Sequence, residues 1–462
     1  MINCPNCSAN LKFNIALQMM HCDSCDSNFD PYSFDSKESD GIEKEYETTI
    51  FTCPECAGEI ESTDTDVTGF CPFCGASTIF YSRLSKELKP DYVIPFKKTK
   101  EDCKKIYKAH AKKALFLPKE YKDSNFINGF RGIYVPYWSY NLSQNGPVGF
   151  KGEKSHRKGD YIIHDYYKLS GDIDSFYNGV GHDASSSFSD DISEKIAPFD
   201  VKEKKDFTAG YLSGFYADTA DVDSSVYKPD AMDFAMERSR SEIRKTPAFL
   251  GYSISNLSDN KLNTKVDLIE RTLYPVWFMS YRNNDRVTYA TVNGQTGKVS
   301  ADFPIDIKKF LLFSLAVSVV LFGIFNAVLT VKPTTCSLIT SILAIIALVL
   351  YLIENKRIQN WENNFKDRGL NSVKVKEFAK NGELKKVKVP VKKTPLTLSI
   401  IAIIISGITW LSATIYDWKH YLISAICSVL IAITLIYLIN DYNMLTSRPL
   451  PQFKKKGGDD RA

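Results

Sequence analysis

Eight of the eleven cysteines fall into two identical quartets, Cys4, Cys7, Cys22, Cys25 and Cys53, Cys56, Cys71, Cys74. Each reads C-x2-C-x14-C-x2-C, and the two are offset by 49 residues. Two C-x2-C knuckles can place four thiolates at the corners of a tetrahedron, with an intervening segment long enough for a short hairpin. The expected cofactor is Zn2+ in two structural sites, since four protein ligands leave no open position for substrate. A ribbon of roughly 25 residues buries little core, so metal binding is expected to supply its folding free energy, on the order of 10 kcal/mol. Disulfide staples or redox pairs predict no repeat at fixed offset. Prolines after Cys4, Cys53 and Cys71, and Gly75 after Cys74, also differ from the strand-to-helix turn of a thioredoxin-like pair. His21, directly before Cys22, is read as a bystander.

Other candidate chemistry is sparse. His156, His164 and His182 share a polar stretch with Asp160, Asp165 and Asp183, but no H-E-x-x-H or comparable spacing joins them, and they read as loop and strand residues. The run 293–298 (NGQTGK) ends in Gly-Lys without the spacing or the Ser/Thr of a phosphate loop, so it reads as a hairpin turn. No nucleophile elbow, kinase set or dinucleotide fingerprint is present. No catalytic residue is assigned, and a non-enzymatic protein is expected.

The elements around the cysteines divide the chain into a multi-domain protein. Ribbon one occupies 1–31, an acidic linker 32–50, ribbon two 51–83, and an α+β domain with mainly antiparallel sheet 84–305. Segment 88–96 reads as an extended entry strand. Thr99 opens a helix with Asp102 in a capping box, an apolar stripe from Cys103, Ile106, Tyr107, Ala114 and Leu115, and a basic face of Lys100, Lys104, Lys105, Lys108, Lys112 and Lys113. That face suits anionic lipid, an acidic partner or plain solvation. Strands follow over 132–141 and 273–281, each carrying Pro-x-Trp, 139 residues apart, which suggests a duplicated strand unit. Residues 286–299 add a strand pair, and 230–245 reads as an amphipathic helix.

Beyond residue 310 the chain changes character. Segments 310–331, 338–353, 396–416 and 421–439 are uncharged apolar runs, read as four transmembrane helices in two pairs within 306–353 and 396–440. Polar and ionisable residues inside them look scarce, which disfavours a transporter. The connecting loop 354–395 holds 12 Lys/Arg against 5 acids, so the positive-inside rule makes it cytoplasmic, together with both termini and the tail 441–462. Zinc thiolates require that same reducing side. Within the loop, Ile358, Trp361 and Phe365 fit an interfacial helix continuing from the second span, or a solvated linker.

Charge bears on partners. Residues 1–74 contain three lysines, no arginine and 14 acids. Nucleic-acid affinity is dominated by Lys and Arg on phosphates, so this ribbon pair is expected to bind no nucleic acid.

The chain resembles bacterial membrane proteins with tandem TFIIB-type zinc ribbons, the YdjG-like family. The resemblance rests on the two ribbons, 88–96 (LKPDYVIPF), 132–138 (GIYVPYW), 184–187 with 198–200, 211–218 (YLSGFYAD) and 273–298 with its NGQTGK turn. It implies a non-enzymatic membrane anchor that recruits cytoplasmic membrane-stress proteins of the phage-shock-protein-A or SPFH (flotillin-like) kind. The expected function is therefore a multi-pass adaptor in the cell membrane, in contact with the lipid bilayer and open to oligomer formation. The alternative is a membrane-tethered nucleic-acid-binding regulator.

Overall fold

The computed structural model describes residues 2–34, 45–62, 68–79, 81–258, 262–283, 286–328, 331–362, 368–369, 393–412 and 417–449. Phe365, part of the acidic linker and most of the C-terminal tail lie outside them. Ribbon one is a three-stranded antiparallel sheet of β1 (Lys12–Asn14), β2 (Met19–His21) and β3 (Asn28–Phe29). Ribbon two contains β4 (Glu45–Thr52), β5 (Glu59–Ser62), the two-stranded β6 (Thr68–Phe70) and β7 (Ser77–Ile79), and β8 (Tyr81–Leu88). β4 starts inside the segment read as a linker, and Pro31–Phe34 forms a 3-10 turn at its other end.

The body is built on β9 (Tyr92–Val93), α1 (Lys100–Lys113), α2 (Ser124–Ile127), β10 (Arg131–Lys158), β11 (Tyr161–Asp183), α3 (Asp190–Ile196), β12 (Lys205–Asp206), β13 (Tyr216–Asp218), α4 (Lys228–Lys245), β14 (Ser253–Ser258), β15 (Asn263–Asn283), β16 (Arg286–Asn293) and β17 (Val299–Ala301). Thr99 and Asp102 form the expected capping box on α1. Cys103, Tyr107 and Ala111 bury its apolar face, but Leu115 lies past the helix end and is 64% exposed. Ala114, held by its N–H to the Ala111 carbonyl, already has extended geometry, so the stripe ends one turn before Pro118. Of the 88–96 segment, Leu88 ends β8 and Tyr92–Val93 form the two-residue β9, while 230–245 falls within α4.

The two Pro-x-Trp strands are neighbours. β10 and β15 run antiparallel, with Val135 opposite Tyr274, its counterpart at the 139-residue offset. Around that pair the surroundings repeat. Ile133 and Tyr134 take β13 as a parallel neighbour, and Thr272 and Leu273 take β9 in the same way. Each strand then exchanges that neighbour for an antiparallel hairpin partner, β11 from Tyr137 and β16 from Val276. Pro136 and Pro275 sit at the exchange points, where a missing N–H interrupts no continuous ladder. Trp138 Nε1 donates to the Val222 carbonyl and Trp277 Nε1 to that of Lys98, each six residues beyond the first paired residue of its parallel strand. The body is thus a duplicated β-α-β-β unit with exchanged first strands.

Residues alternate across this sheet. Ile133, Val135, Tyr137, Val276 and Phe278 pack with Ile192 and Ile196 of α3, whereas Tyr134, Trp277 and Met279 pack with Cys103 and Tyr107 of α1. With both faces covered, the strand sequences are nearly continuously apolar.

Four helices are long and apolar enough to cross a membrane: α5 (Ile307–Val328), α6 (Pro333–Glu362), α7 (Lys393–Leu411) and α8 (Asp417–Leu445). α6 continues past its apolar stretch through Ile358, which is buried. α6, α7 and α8 pack together, and their seam carries more polar groups than the sequence suggests: Ser337, Thr340, Ser399, Ser406, Thr409, His420, Ser424 and Thr434 are buried. Ser337 Oγ lies 3.1 Å from His420 Nδ1, and Ser399 Oγ lies 3.2 Å from Thr434 Oγ1. Small hydroxyl residues let helices approach closely and satisfy one another in apolar surroundings.

Candidate metal centres

The eight predicted ligands assemble as two quartets, in each of which four sulfurs lie within 4.8 Å of one another. The four knuckles share one backbone design. Each first cysteine accepts, at its carbonyl, the N–H of the residue after the second: Ser8, Asp26, Ala57 and Gly75. Each first cysteine also donates its own N–H one residue further on, to Ala9, Ser27, Gly58 and Ala76. To close this turn, Ser8, Asp26, Ala57 and Gly75 all adopt left-handed φ values, 63°, 59°, 57° and 70°. Only Gly75 does so without a Cβ penalty.

The donor geometry fits a tetrahedral ion. A Zn–S bond of about 2.3 Å requires sulfurs about 3.8 Å apart. Cys53–Cys74 and Cys56–Cys71 are separated by 3.9 and 3.8 Å, and Cys4–Cys25 and Cys7–Cys22 by 3.5 and 3.4 Å. Crowding divides the thiols electrostatically. Hydrogen bonds from Cys56 and Cys71 hold Cys53 far below the usual thiol range, while Cys71 is pushed far up, chiefly by Cys53. In ribbon one the Ser27 side chain brings Cys25 down to about 6. A bound cation would take the place of the shared protons.

The quartets differ in setting. Cys7 and Cys25 are exposed, whereas all four sulfurs of the second site are buried. Neither ribbon is a free knob on a tether. In ribbon one, Leu11, Phe13 and Met20 join the core of the body, the Phe13 ring packs 5.0 Å from Tyr211, and the Phe13 N–H donates to the Ser213 carbonyl at 3.0 Å. Ribbon two merges with the main sheet, because Ile60, Glu61 and Ser62 pair with β13. Ser280 Oγ donates to the Cys71 carbonyl at 3.1 Å and Tyr289 Oη to that of Phe73 at 2.5 Å. Phe51, Ile60 and Phe73 are buried in ribbon two's own cluster, with Tyr216 of β13 packed against it, so their apolar character alone does not announce the docking.

His21 stands outside its quartet, with Nδ1 2.8 Å from Asn28 Oδ1. The other histidines stay apart. His156 pairs with Asp165 and His164 with Glu153 across the exposed β10–β11 hairpin, while His182 stacks on Tyr227 in the body. Among the described residues, no third convergent group of three ligand-type side chains forms.

No protein-family model matches the chain, and no solved structure matches it. A curated relative does: an uncharacterized protein, YdjG of Bacillus subtilis (strain 168), is 30% identical over 306 residues, covering 65% of this chain and 89% of that one. The chain belongs to the YdjG family. In this YdjG-family protein two Cys4 centres able to hold metal sit beside four apolar helices, the features of a membrane-anchored metal-binding protein. The anchor is also tied to the second centre. β18 (Arg448–Pro449), just past α8, pairs with the start of β16, and the Arg448 guanidinium lies 5.4 Å from the Tyr289 ring that holds ribbon two. Arg286 Nη2 donates to the Met444 and Ser447 carbonyls at 2.7 Å each.

Proposed function

We propose that this YdjG-family protein is a multi-pass, non-enzymatic adaptor with two structural Zn2+ sites that holds cytoplasmic proteins at the inner face of the cell membrane. The observation carrying this reading is the joining of the second Cys4 centre to the end of α8 through one strand pair, β16 and β18. A partner seated on the metal-braced body is thereby held at a fixed distance from the bilayer. Side-sharing supports the topology: Arg368, from the basic loop, donates its N–H to Asp190 at 2.7 Å and pairs with Asp230, so that loop meets the body. Both loop and body then face the cytoplasm, where thiolates stay reduced.

The TFIIB-type character of the ribbons and a place in envelope stress, with phage-shock-protein-A-like or SPFH partners, rest on family resemblance. Acidic ribbons favour protein partners over nucleic acid: Asp23 and Asp26 are exposed beside the first centre. The test is affinity purification of the full chain from solubilised membranes, compared with a Cys22→Ser variant. The expected result is a membrane-associated protein retained by the intact chain and lost with the variant. Tight binding of the full chain to DNA or RNA, weakening steeply with salt, would establish the nucleic-acid reading instead.

A further inference from the structure

α1 ends in a turn that sits against the entry of α5. The Phe116 ring packs 5.3 Å from Phe310 and 5.5 Å from Phe313, the Asp306 N–H donates to the Phe116 carbonyl at 2.8 Å, and Lys309 Nζ donates to that of Leu117 at 2.6 Å. These contacts fix the turn at the level of the first turns of a helix whose apolar window begins at Ile307. At the same level Leu312 and Phe313 are exposed. Leu115 keeps most of its surface open, and Lys112, Lys113, Lys119 and Lys122 on either side of it are exposed, as is Lys308. Glu120 and Asp123 are the exposed acids of this turn, so cations predominate.

An exposed leucine alone is ordinary. Its fixed height beside a membrane-entry helix and its lysine flanks give it a partner, because apolar side chains favour the headgroup boundary and each nearby Lys attracts anionic lipid. We propose that the 112–119 turn is a peripheral membrane contact, with Leu115 entering the headgroup layer beside α5 and Lys112, Lys113 and Lys119 holding anionic phospholipid headgroups. It sets the tilt of the body on the bilayer. The inference rests on α5 crossing the membrane.

The experiment uses the full chain in vesicles of mixed anionic and zwitterionic phospholipid, with a photoreactive amino acid replacing Leu115, Ile324 in the last two turns of α5, or Leu250, an exposed residue of the body. Lipid adducts are read by mass spectrometry. Positions 115 and 324 are expected to yield adducts and 250 none, with those at 115 enriched in anionic lipid. A Lys112→Glu, Lys113→Glu, Lys119→Glu variant should lower that enrichment by about fivefold for each lysine that holds a headgroup. If 324 labels lipid but 115 behaves like 250, the peripheral contact is overturned. If 324 fails as well, the membrane reading itself falls. Unchanged enrichment in the triple variant overturns the role of the lysines.

Discussion

At each knuckle the residue after the second cysteine must turn left-handed, and Ala57 does so at φ 57° against the preference of any side chain bearing a Cβ. Ala57→Gly is expected to stabilise ribbon two by about 0.5–1 kcal/mol, read as a higher denaturant midpoint at unchanged metal content. Gly75→Ala should do the reverse and more, because a Cβ there would lie 3.2 Å from both the backbone nitrogen and Cβ of Arg282. Metal release should separate the centres. Two ions per chain are expected, the one held by exposed Cys7 and Cys25 passing to a chromogenic chelator first, and Cys22→Ser retaining one. Asp218 offers a pH test. It is buried beside Ser187, whose Oγ lies 2.8 Å from its Oδ2, and desolvation raises its carboxyl from the ordinary 3.8 to about 7. Between those values the native state binds the proton and the unfolded state does not, so this group's contribution to stability falls as pH rises through that window. Asp218→Asn should remove that slope, measured as the difference in unfolding midpoint between variant and parent from pH 5.5 to 8.

At the scale of elements, the duplicated β-α-β-β unit makes Trp138 and Trp277 equivalent. Each indole N–H donates to one backbone carbonyl in a part-buried setting. Trp138→Phe and Trp277→Phe should each destabilise by about 1–2 kcal/mol. The repeat predicts similar losses at the two sites, and a thermal or denaturant melt of both variants would show whether the halves are mechanically equivalent. How much of this was legible in sequence follows from the same strands. Pro-x-Trp twice at a fixed offset announced the repeat, and Thr99 with Asp102 announced α1, because both signals are local. The exchange of β9 and β13 between halves was not legible, since a two-residue parallel pairing leaves no periodicity to read. The two cysteine quartets that the structure brings together were visible as spacing. The docking of the ribbons was hidden, because it is carried by partners as distant in sequence as Phe13 with Tyr211 and Cys71 with Ser280. The polar seam of α6, α7 and α8 was missed for a related reason: serine and threonine scarcely lower the hydropathy of a span, yet they choose the packing face.

For the whole molecule, the strongest constraint is that chain segments far apart in sequence return to one body. The end of α8 pairs with β16, Arg368 from the loop between α6 and α7 reaches Asp190, and α5 leaves directly from the sheet through β17. With four helices crossing, these meetings are possible only if the body, the long loop and the residues after α8 share one side, and the α5–α6 and α7–α8 links share the other. In the orientation we propose, the lysine and arginine concentrated in the 354–395 loop put the shared side in the cytoplasm by the positive-inside rule. Cys336, in the first turn of α6, is then presented at the outer face, and it is the one partly exposed cysteine outside the two quartets. A membrane-impermeant maleimide applied to intact cells should label the protein, and Cys336→Ser should abolish that labelling while leaving metal content at two ions per chain. Labelling that appears only after lysis would place the link inside and invert the orientation, leaving the shared side of body, loop and tail intact but turned outward.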